Sequence, residues 1–568
     1  MWTGAVALAW MCWTGAAAPP LHAQISEEFV RAYLWPATAA EFADAREALS
    51  TAPDLVGVTR AQMHDLEEMV RRGRFGAAPS PAPVLDPVTA LMAVAPGHRT
   101  IPVLVRVPTD YSPRRQWPIL LAMHGGPPGS PEGATRSAER MIQVWAEAAE
   151  AAGWIVAAPA MVSTVSREGR TADRLPYEIF HPEEAKAVVD EVRRRFNVDP
   201  DRVVSTGISL GSNFSIAFAA AHPDWFSAIV PVSTEGDSRE LLLRNLQPVP
   251  VYVLEGTQDQ NIRGVGGPRA LDAILSSFGY DLTYREFGDR AHEGFQEHYP
   301  DVLRWLASRP RDRARSEVLR VPHSGIVPVS RRVHWIESGT RQGLVRARVT
   351  GPTQIDITAR WTDRITVFLN DDLVNLDRPL TIRVNGETVF TGQVDRSMKT
   401  ALEEVERLGD ERRIYAARVE LSVPNEAAAA RSGVALWEEL TPMHPQGQLS
   451  FWEMYAVRAL EERFPTVGFD GVEIDLRTTE TGLAPEQVGI QVTSVDPEST
   501  VGRAGLVSGD VLVRVDGEPF FSGRGGVPGL HAWMMRDLRE TPSDWVFEVL
   551  RGGRPVEISA SIGLGPYR

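Results

Sequence analysis

The feature that most limits how this chain can fold is a G-x-S-x-G pentapeptide, residues 207–211, which lies between two apolar runs. The run that ends at Val204 predicts a buried strand, and the Ala- and Phe-rich run over residues 214–221 predicts a helix. Strand, sharp turn and helix form the context in which this motif makes a nucleophile elbow with Ser209 at its tip. The two glycines let strand and helix pass close together, and the helix N-terminus directs free N–H groups toward the serine.

A lone G-x-S-x-G also occurs in ordinary turns of α/β proteins. A catalytic interpretation therefore requires partner residues for Ser209 elsewhere in the chain. From about residue 84 to residue 310 strands alternate with helices, which indicates a mostly parallel sheet covered on both faces. The other predicted strands are residues 102–107, 119–123, 154–159, 228–232, 249–254 and 282–286, and the other predicted helices are residues 142–152, 183–196 and 269–278. Ligands of such sheets bind beyond the carboxyl ends of the strands, where we therefore look for polar residues.

Two strand ends after the elbow carry groups that could activate Ser209. A serine hydroxyl is a poor nucleophile without a base, and the base needs an orienting acid. Asp259 follows the strand that ends at residue 254, and His292 follows the strand that ends at residue 286. Either residue alone is typical of a surface loop, but the order Ser, acid, His at strand ends predicts a catalytic triad. Runner-up acids are Glu235 and Asp237, while Asp289 is too near His292 in sequence to be the first choice.

A tetrahedral intermediate also needs hydrogen-bond donors for its oxyanion. The backbone N–H of Leu210 directly follows the nucleophile and is the first candidate. The second is expected from the strand end that carries His124-Gly125-Gly126-Pro127-Pro128-Gly129. Proline has no N–H, which leaves the three glycines, and Gly126 is favoured. We expect His124 to brace this loop, while an ordinary glycine turn is the alternative interpretation.

Residues 119–295 resemble the α/β-hydrolase superfamily, in particular its secreted esterases of the polyhydroxyalkanoate-depolymerase-like and feruloyl-esterase-like kind. The matching segments are residues 124–126, residues 207–211, Asp259, His292 and the stretch over residues 221–229. The chain departs from many relatives at Ser212, where they carry a second glycine. The resemblance implies hydrolysis of a carboxylic ester through an acyl-enzyme. Prolyl-oligopeptidase-like peptidases share the elbow and the triad order, so amide hydrolysis stays open, although the chain shows no propeller repeat.

A second resemblance covers residues 466–568, which are similar to PDZ domains of the bacterial protease-associated kind. It rests on residues 488–495, 503–512 and 515–518, and above all on Ala504-Gly505-Leu506-Val507-Ser508-Gly509-Asp510. Here the glycines are expected to make tight turns, one of them capped by Asp510. The resemblance implies binding of an extended peptide by strand addition, with its C-terminal carboxylate held by backbone N–H groups. Residues 468–471 are a candidate binding loop, and a purely intramolecular brace is the alternative.

The N-terminal segment predicts export. Residues 1–23 have an apolar core that ends in Leu21-His22-Ala23, typical of a secretory signal cleaved before Gln24. The usual positive n-region is missing, and a buried N-terminal helix is the alternative. The sole cysteine, Cys12, lies in this segment, so the mature chain would have no disulfide. We expect a periplasmic or secreted protein without stable membrane insertion, because no later apolar stretch is long enough to span a bilayer.

Composition and spacing restrict partners and cofactors. The net charge of −15 disfavours nucleic acid as a partner. His292 and His298 are six positions apart, which does not match the four-residue spacing of the H-E-x-x-H zinc helix. The glycine-rich residues 263–267 lack the lysine of a phosphate-binding loop. We therefore expect neither a metal nor another cofactor.

The segments between these motifs complete the predicted domain organisation. Asn385-Gly386 within a β-rich stretch is a strong hairpin signal, and a short amphipathic helix is predicted over residues 395–408. The full division is a signal peptide over 1–23, an N-terminal helical region over 24–83, an α/β-hydrolase catalytic domain over 84–310, a small β-rich accessory domain over 311–425, a helical connector over 426–465 and a PDZ domain over 466–568.

The sequence thus favours an exported serine hydrolase that cleaves a small-molecule or polymer-borne carboxylic ester. Ser209, Asp259 and His292 would form the triad, Leu210 and Gly126 would supply the oxyanion donors, and a C-terminal PDZ domain would bind a peptide or brace the molecule. Two alternatives remain: a serine peptidase of the prolyl-oligopeptidase type, and a degenerate hydrolase that acts as a PDZ-based binding protein.

Overall fold

The structure is a computed structural model. It describes residues 25–36, 38–51, 56–73, 88–95, 100–126, 130–162, 181–236, 240–262, 267–322, 329–341, 343–424, 436, 472–475, 490–515, 518–519 and 543–562. The predicted signal peptide, all but one residue of the helical connector, and the candidate PDZ loop at residues 468–471 lie outside the described residues.

The helices and strands follow in chain order. The helices are α1 (Glu27–Leu34), α2 (Ala39–Thr51), α3 (Arg60–Gly73), α4 (Pro131–Ala152), α5 (Pro182–Arg195), α6 (Leu210–Ala221), α7 (Glu240–Leu243), α8 (Pro268–Ser277), α9 (Tyr299–Ala307), α10 (Met398–Leu408) and α11 (Thr500–Arg503). The first strands are β1 (Val88–Val94), β2 (Thr100–Arg106), β3 (Trp117–Met123), β4 (Ile155–Pro159), β5 (Val198–Ile208), β6 (Ala228–Val232), β7 (Val251–Gly256) and β8 (Leu282–Phe287).

The remaining strands lie in the second half of the chain. They are β9 (Glu317–Arg320), β10 (Arg332–Val333), β11 (Ile336–Ser338), β12 (Leu344–Gly351), β13 (Gln354–Arg360), β14 (Arg364–Leu369), β15 (Leu380–Val384), β16 (Glu387–Gly392), β17 (Ala417–Ser422), β18 (Val472–Asp475), β19 (Ile490–Val495), β20 (Val511–Val515), β21 (Glu518–Pro519), β22 (Ser543–Arg551) and β23 (Arg554–Ile562). The chain divides into two compact units, one of Met1–Ala77 with Asp395–Ala417 and one of Ala78–Val394 with Arg418–Arg568.

The larger unit contains an eight-stranded sheet in the order β1-β2-β4-β3-β5-β6-β7-β8. The strands from β4 to β8 pair in parallel, while β1 and β2 pair antiparallel with each other and β2 pairs antiparallel with β4. The mostly parallel sheet expected from the alternation of strands and helices is therefore present. Because the parallel strands point the same way, β3, β5, β6, β7 and β8 end at one edge of the sheet.

Both faces of this sheet are buried. Along β3, Ile119 and Leu121 face a core that includes residues of α5, α6 and α8, while Leu120 and Ala122 face a second core with residues of α4 and α9. This two-sided burial explains why the parallel strands are almost uniformly apolar rather than alternating.

Two elements of the sheet differ from the sequence prediction. Helix α4 begins at Pro131, well before residue 142, because Ser130 accepts a hydrogen bond from the Gly133 amide and proline suits the first helical position. Strand β1 was not predicted. It is an edge strand with a mixed exposure pattern, and its short Thr- and Ala-containing sequence carries little periodic signal.

The described part of residues 311–425 contains two β-sheets. Strands β9, β12, β13, β15 and β16 form a five-stranded sheet, and β10, β11, β14 and β17 form a four-stranded one. Asn385 and Gly386 link β15 to β16 with φ of 53° and 86°. Two consecutive positive φ values are those of the type I′ turn that an Asn-Gly pair favours.

The smaller unit joins the N-terminal helices to a distant helix. Residues of α1, α2 and α3 share one apolar core with Met398, Leu402 and Val405 of α10. The Tyr33 hydroxyl also donates to Glu406 over 2.6 Å. The amphipathic helix predicted over residues 395–408 therefore packs on the N-terminal helices, which lie more than 300 residues earlier in the chain.

The C-terminal strands form a sheet in the order β18-β19-β20-β22-β23, with β21 on β20. Gly505 and Gly509 have φ of 105° and 90° in the turns before β20. Buried Asp510 accepts a hydrogen bond from the Val507 amide at 3.0 Å and pairs with Arg551 at 2.7 Å. The glycine turns and the capping role expected of Asp510 are thus present.

Candidate active site

Ser209 occupies a strained turn between β5 and α6. Its φ of 56° and ψ of −124° lie in a region that non-glycine residues rarely adopt, at a cost of about 1–3 kcal/mol. A Cβ on Gly211 would lie 2.2 Å from the Met123 carbonyl oxygen, and a Cβ on Gly207 would lie 2.3 Å from the Gly211 backbone. Only glycine permits these approaches, so the pentapeptide forms the sharp elbow that its sequence predicts.

Asp259 and His292 meet beyond the ends of β7 and β8. The His292 Nδ1 lies 2.7 Å from Asp259 Oδ2, and the Asp259 side chain is fully buried while the imidazole is 35% exposed. Asp259 Oδ1 accepts a hydrogen bond from the Asn261 amide at 2.9 Å, which fixes the carboxylate. The buried acid therefore holds one nitrogen of a solvent-accessible imidazole, as an orienting acid holds a catalytic base.

The weaker candidates for the acid lie elsewhere. Glu235 is exposed and accepts a hydrogen bond from Asn213 at 2.9 Å. Asp289 lies 3.3 Å from the Gln258 side-chain amide. Asp237 lies outside the described residues. Asp259 is accordingly the carboxylate that the structure places on His292.

The loop after β3 lies directly against the elbow. A Cβ on Gly125 would come within 2.8 Å of the Ile208 carbonyl oxygen and 3.0 Å of Ser209 Cβ. Gly126 follows with φ of 65° and has open space where its Cβ would stand. The N–H of Leu210, in the first turn of α6, has no partner within the helix. Both predicted oxyanion donors thus belong to segments adjoining Ser209.

His124 braces this loop from its buried side. Its Nε2 accepts a hydrogen bond from the Met161 amide at 3.0 Å, and its Nδ1 lies 3.2 Å from the Gly125 carbonyl oxygen. Burial lowers the pKa of His124, opposed by its contacts with the backbone of Gly125 and Gly126. A neutral ring that accepts at one nitrogen and donates at the other matches the bracing role predicted from the sequence.

A segment after β6 connects the elbow, the acid strand and the histidine loop. Ser209 N donates to Val232 O at 3.0 Å, and Ser233 N donates to Leu254 O at 2.9 Å. The Ser233 hydroxyl donates to the Glu293 carbonyl at 2.6 Å and accepts from the Glu293 amide at 3.0 Å. The residue next to His292 is therefore held at both of its backbone polar groups by one side chain.

Thr234 extends the same set of contacts. Its hydroxyl donates to Asn213, one helical turn beyond Ser209, over 2.9 Å, and its amide donates to Glu255 over 2.5 Å. Ser233, Thr234 and Glu255 are not among the residues predicted from the sequence. The available signal was position, because Ser233 directly follows the strand after the elbow and Glu255 lies at the end of the strand before Asp259.

Glu255 is a buried carboxyl group beside the acid of the pair. It has no exposed surface, and within the described residues its Oε2 has no hydrogen-bond partner. Burial raises the pKa of Glu255 to about 8, the Thr234 amide opposes this shift, and the nearby Asp259 adds to it. Glu255 is therefore mostly protonated at neutral pH.

Within the described part of the chain, the hydroxyl of Ser209 and the ring of His292 share no hydrogen bond. Such bonds are often long in ligand-free enzymes and tighten when substrate binds.

Among the residues that the structure describes, no group of three or more His, Cys, Asp or Glu side chains is arranged to hold a metal ion. None of the helices that the structure describes has the length and apolar character needed to cross a bilayer.

No protein-family model matches the chain. NocK of Nocardia uniformis subsp. tsuyamanensis, a curated protein named provisionally as an esterase, is 32% identical over 143 residues. The match covers 25% of this chain and 40% of NocK, so the chain spans less than half the length of that relative.

Solved structures with partial similarity are hydrolases. A thermostable esterase is 23% identical, with coverage of 40% of this chain and 64% of that chain and a TM-score of 0.34. An S-formylglutathione hydrolase from Agrobacterium tumefaciens is 14% identical, with coverage of 39% of this chain and 94% of that chain and a TM-score of 0.30. Dipeptidyl peptidase 4 from Porphyromonas gingivalis is 16% identical, with coverage of 39% of this chain and 36% of that chain and a TM-score of 0.31. At TM-scores this low, these similarities support no conclusion about this chain.

The strand order and the positions of the site residues identify the fold of this chain. Eight strands in this order, an elbow serine after β5, and an Asp–His pair after β7 and β8 form the arrangement of the α/β-hydrolase fold. The curated relative is named as an esterase. The described residues between 88 and 307 therefore have an α/β-hydrolase-like fold.

Proposed function

We propose that this protein is a serine hydrolase that cleaves carboxylic esters through an acyl-enzyme. The observation that carries the proposal is the 2.7 Å contact between His292 and a fully buried Asp259, at the sheet edge where Ser209 occupies a strained elbow. The preference for esters over amides is supported by the sequence similarity to NocK.

In this mechanism the Ser209 hydroxyl oxygen attacks the ester carbonyl while His292 Nε2 takes its proton. The negative charge that develops on the carbonyl oxygen is stabilised by the N–H groups of Leu210 and Gly126. Collapse of the tetrahedral intermediate breaks the bond to the alkoxy oxygen, which leaves as the alcohol with the proton from His292. Water, deprotonated by His292, then cleaves the acyl-enzyme and releases the carboxylic acid. Asp259 keeps the imidazole in the required tautomer throughout.

The first test is labelling of the full-length protein with a fluorophosphonate probe. We expect Ser209 to be labelled, and Ser209→Ala to lose labelling and ester turnover while it retains its circular dichroism spectrum. Equal labelling of Ser209→Ala would show that another residue is the nucleophile. A folded wild-type protein that resists the probe would favour the alternative of a degenerate hydrolase that acts as a binding protein.

Ester and amide substrates separate the proposal from a serine peptidase. We expect p-nitrophenyl esters to be turned over at least about a hundredfold faster, by kcat/KM, than p-nitroanilides with the same acyl group. Comparable values, or faster amide cleavage, would assign the chain to the peptidase alternative. Ser209→Ala provides the background rate for both substrate classes.

We further propose that residues 466–568 form a PDZ domain that binds a peptide C-terminus. The proposal is supported by the Gly505 and Gly509 turns and by Asp510, which caps the turn and pairs with Arg551. A library of C-terminal peptides, tested by fluorescence anisotropy against the whole protein, should yield a ligand that loses binding on C-terminal amidation. Binding that is indifferent to amidation, or absent, would favour an intramolecular brace.

Export is the third part of the proposal, and it rests on the composition of residues 1–23. Expression in a Gram-negative host should place the protein in the periplasm with Gln24 as its first residue, by mass spectrometry of the purified chain. An intact N-terminus on cytoplasmic protein would instead favour a structural role for this segment.

A further inference from the structure

We propose that Ser233 is a positioning residue that sets the location of His292 relative to Ser209. The inference rests on the proposed function, since it assigns a role within the same catalytic site. It comes from the contacts of the Ser233 side chain, which belongs neither to the G-x-S-x-G motif nor to the predicted triad.

The Ser233 hydroxyl makes two hydrogen bonds to one backbone unit. It donates to the Glu293 carbonyl at 2.6 Å and accepts from the Glu293 amide at 3.0 Å. Two contacts to a single residue restrict both its position and its orientation. Because Glu293 directly follows His292, the hydroxyl restricts the backbone that carries the imidazole.

Ser233 itself is tied to the other two catalytic segments. It is completely buried, and its amide donates to Leu254 O on β7, the strand that leads to Asp259. Its neighbour Val232 accepts the hydrogen bond from the Ser209 amide at 3.0 Å. One short stretch of backbone therefore relates nucleophile, acid strand and histidine loop.

The backbone of Ser233 supports a functional rather than a purely local role. Its φ of 45° lies in the left-handed region that favours glycine. Glycine would adopt this conformation with less strain, but it has no hydroxyl to hold the histidine loop. Strain of this kind, kept at a catalytic edge, is compensated by the contacts that the side chain makes.

The alternative is that Ser233 only stabilises the fold, and the chain offers a matched control. Ser227 lies just before the other end of β6, is also buried, and donates to the Val203 carbonyl at 3.2 Å. Ser227→Ala therefore removes a comparable hydroxyl from the edge of the sheet opposite the site. Ser233→Gly removes the Ser233 hydroxyl without imposing backbone strain.

The experiment measures kcat and KM for a p-nitrophenyl ester with Ser233→Ala, Ser233→Gly and Ser227→Ala in the full-length protein. We expect both Ser233 variants to lose kcat by about tenfold to a hundredfold, as for a displacement of about 1 Å between reacting groups. KM should stay within about twofold in these variants, since they leave the substrate contacts in place. Ser227→Ala should retain wild-type kcat. Wild-type kcat in Ser233→Gly would overturn the inference.

A double-mutant cycle distinguishes positioning of His292 from a general structural effect. Ser233→Gly is combined with His292→Ala, and the rate constant for fluorophosphonate labelling of Ser209 is measured in all four proteins. If Ser233 acts through the imidazole, its replacement should change the labelling rate by less than about twofold once His292 is absent. An equal loss in both backgrounds would refute the assignment. Failure of the proposed function itself would appear separately, as an unlabelled wild-type protein.

Discussion

At the scale of single residues, the Asp259–His292 pair has the sharpest consequence. Replacing Asp259 by Asn keeps the size of the side chain but removes the charge and offers an amide N–H in place of one oxygen. We expect kcat to fall by about 10³–10⁴-fold, because the imidazole loses the partner that fixes its tautomer. Steady-state kinetics with a p-nitrophenyl ester will measure the change. Glu235→Gln serves as the control, and an equal loss in that variant would implicate the other carboxylate.

Glu255 predicts a dependence of stability on pH. Its folded-state pKa is about 8, against an ordinary value of 4.5, because it is buried. Between these values the folded protein keeps a proton that the unfolded chain has lost, so this group's contribution to the free energy of unfolding declines as pH rises from 4.5 to 8. Glu255→Gln is uncharged and should lack this contribution to the pH dependence.

Urea unfolding at pH 5 and pH 8 will test the role of Glu255. The free energy of unfolding of Glu255→Gln, relative to that of the wild type, should increase from pH 5 to pH 8. The expected change is a few kcal/mol, because one unit of pKa shift corresponds to about 1.4 kcal/mol. The wild-type Oε1 accepts from Thr234, a hydrogen bond that the glutamine oxygen can also accept. Parallel pH profiles for the two proteins would contradict a raised pKa.

At the scale of elements, the end of β7 determines where the histidine loop can lie. A Cβ on Gly256 would stand 2.3 Å from the Arg290 carbonyl oxygen and 2.5 Å from that of Ala291. We therefore expect Gly256→Ala to push this loop away from the strand and to reduce kcat by at least about a hundredfold. Kinetics and thermal unfolding of the purified variant will measure the effect.

Gly288 provides the control for that substitution. It precedes the same loop, has open space where a Cβ would stand, and has no positive φ. Gly288→Ala should retain activity and should be neutral or slightly stabilising, because alanine restricts the unfolded chain more than glycine does. A similar loss of activity in both variants would mean that the loop tolerates no change at all, and that the contact at Gly256 is not the cause.

The sequence predicts the parts of the site whose residues lie close together in the chain or follow the ends of parallel strands. Ser209 was identified because the elbow is local, with its glycines and its helix within a few residues. Asp259 and His292 were identified because parallel strands end at one edge, so that position after a strand implies proximity. Their pairing is present in the structure, while their catalytic roles and the oxyanion donors stay predictions.

Other features could not be predicted because no local pattern encodes them. The bond between Ser233 and Glu293 joins residues 60 positions apart, and a serine after a strand has no periodicity to reveal it. Strand β1 has a short, mixed sequence at an edge of the sheet. The packing of α10 on α1–α3 depends on a distant segment, and its own amphipathic pattern specifies a buried face without specifying the partner.

At the scale of the whole molecule, the smaller unit has its own core. Leu402 of α10 is fully buried within it. Leu402→Ala should lower the stability of this unit by about 2–5 kcal/mol, as a large-to-small change in a packed core does. Hydrogen exchange of peptides from residues 25–73, followed by mass spectrometry, should accelerate.

The control for Leu402 is Arg407→Lys on the exposed side of the same helix. Arg407 pairs at 3.0 Å with Glu404, whose side chain is only 5% exposed, and lysine keeps a positive charge beside that carboxylate. The exchange rates of residues 25–73 should then remain close to those of the wild type. Unchanged exchange in Leu402→Ala would show that α10 does not support the N-terminal helices.

The discontinuous core of the smaller unit also governs the order of events during synthesis. Helices α1–α3 leave the ribosome first, but the side chains that complete their core, such as Met398 and Leu402, come more than 300 residues later. At about 5–20 residues per second, this delay is on the order of tens of seconds. Throughout that time the apolar faces around Val30, Leu66 and Val70 have no partner from α10 to cover them. The nascent N-terminus is therefore a natural substrate for chaperones until translation has passed α10.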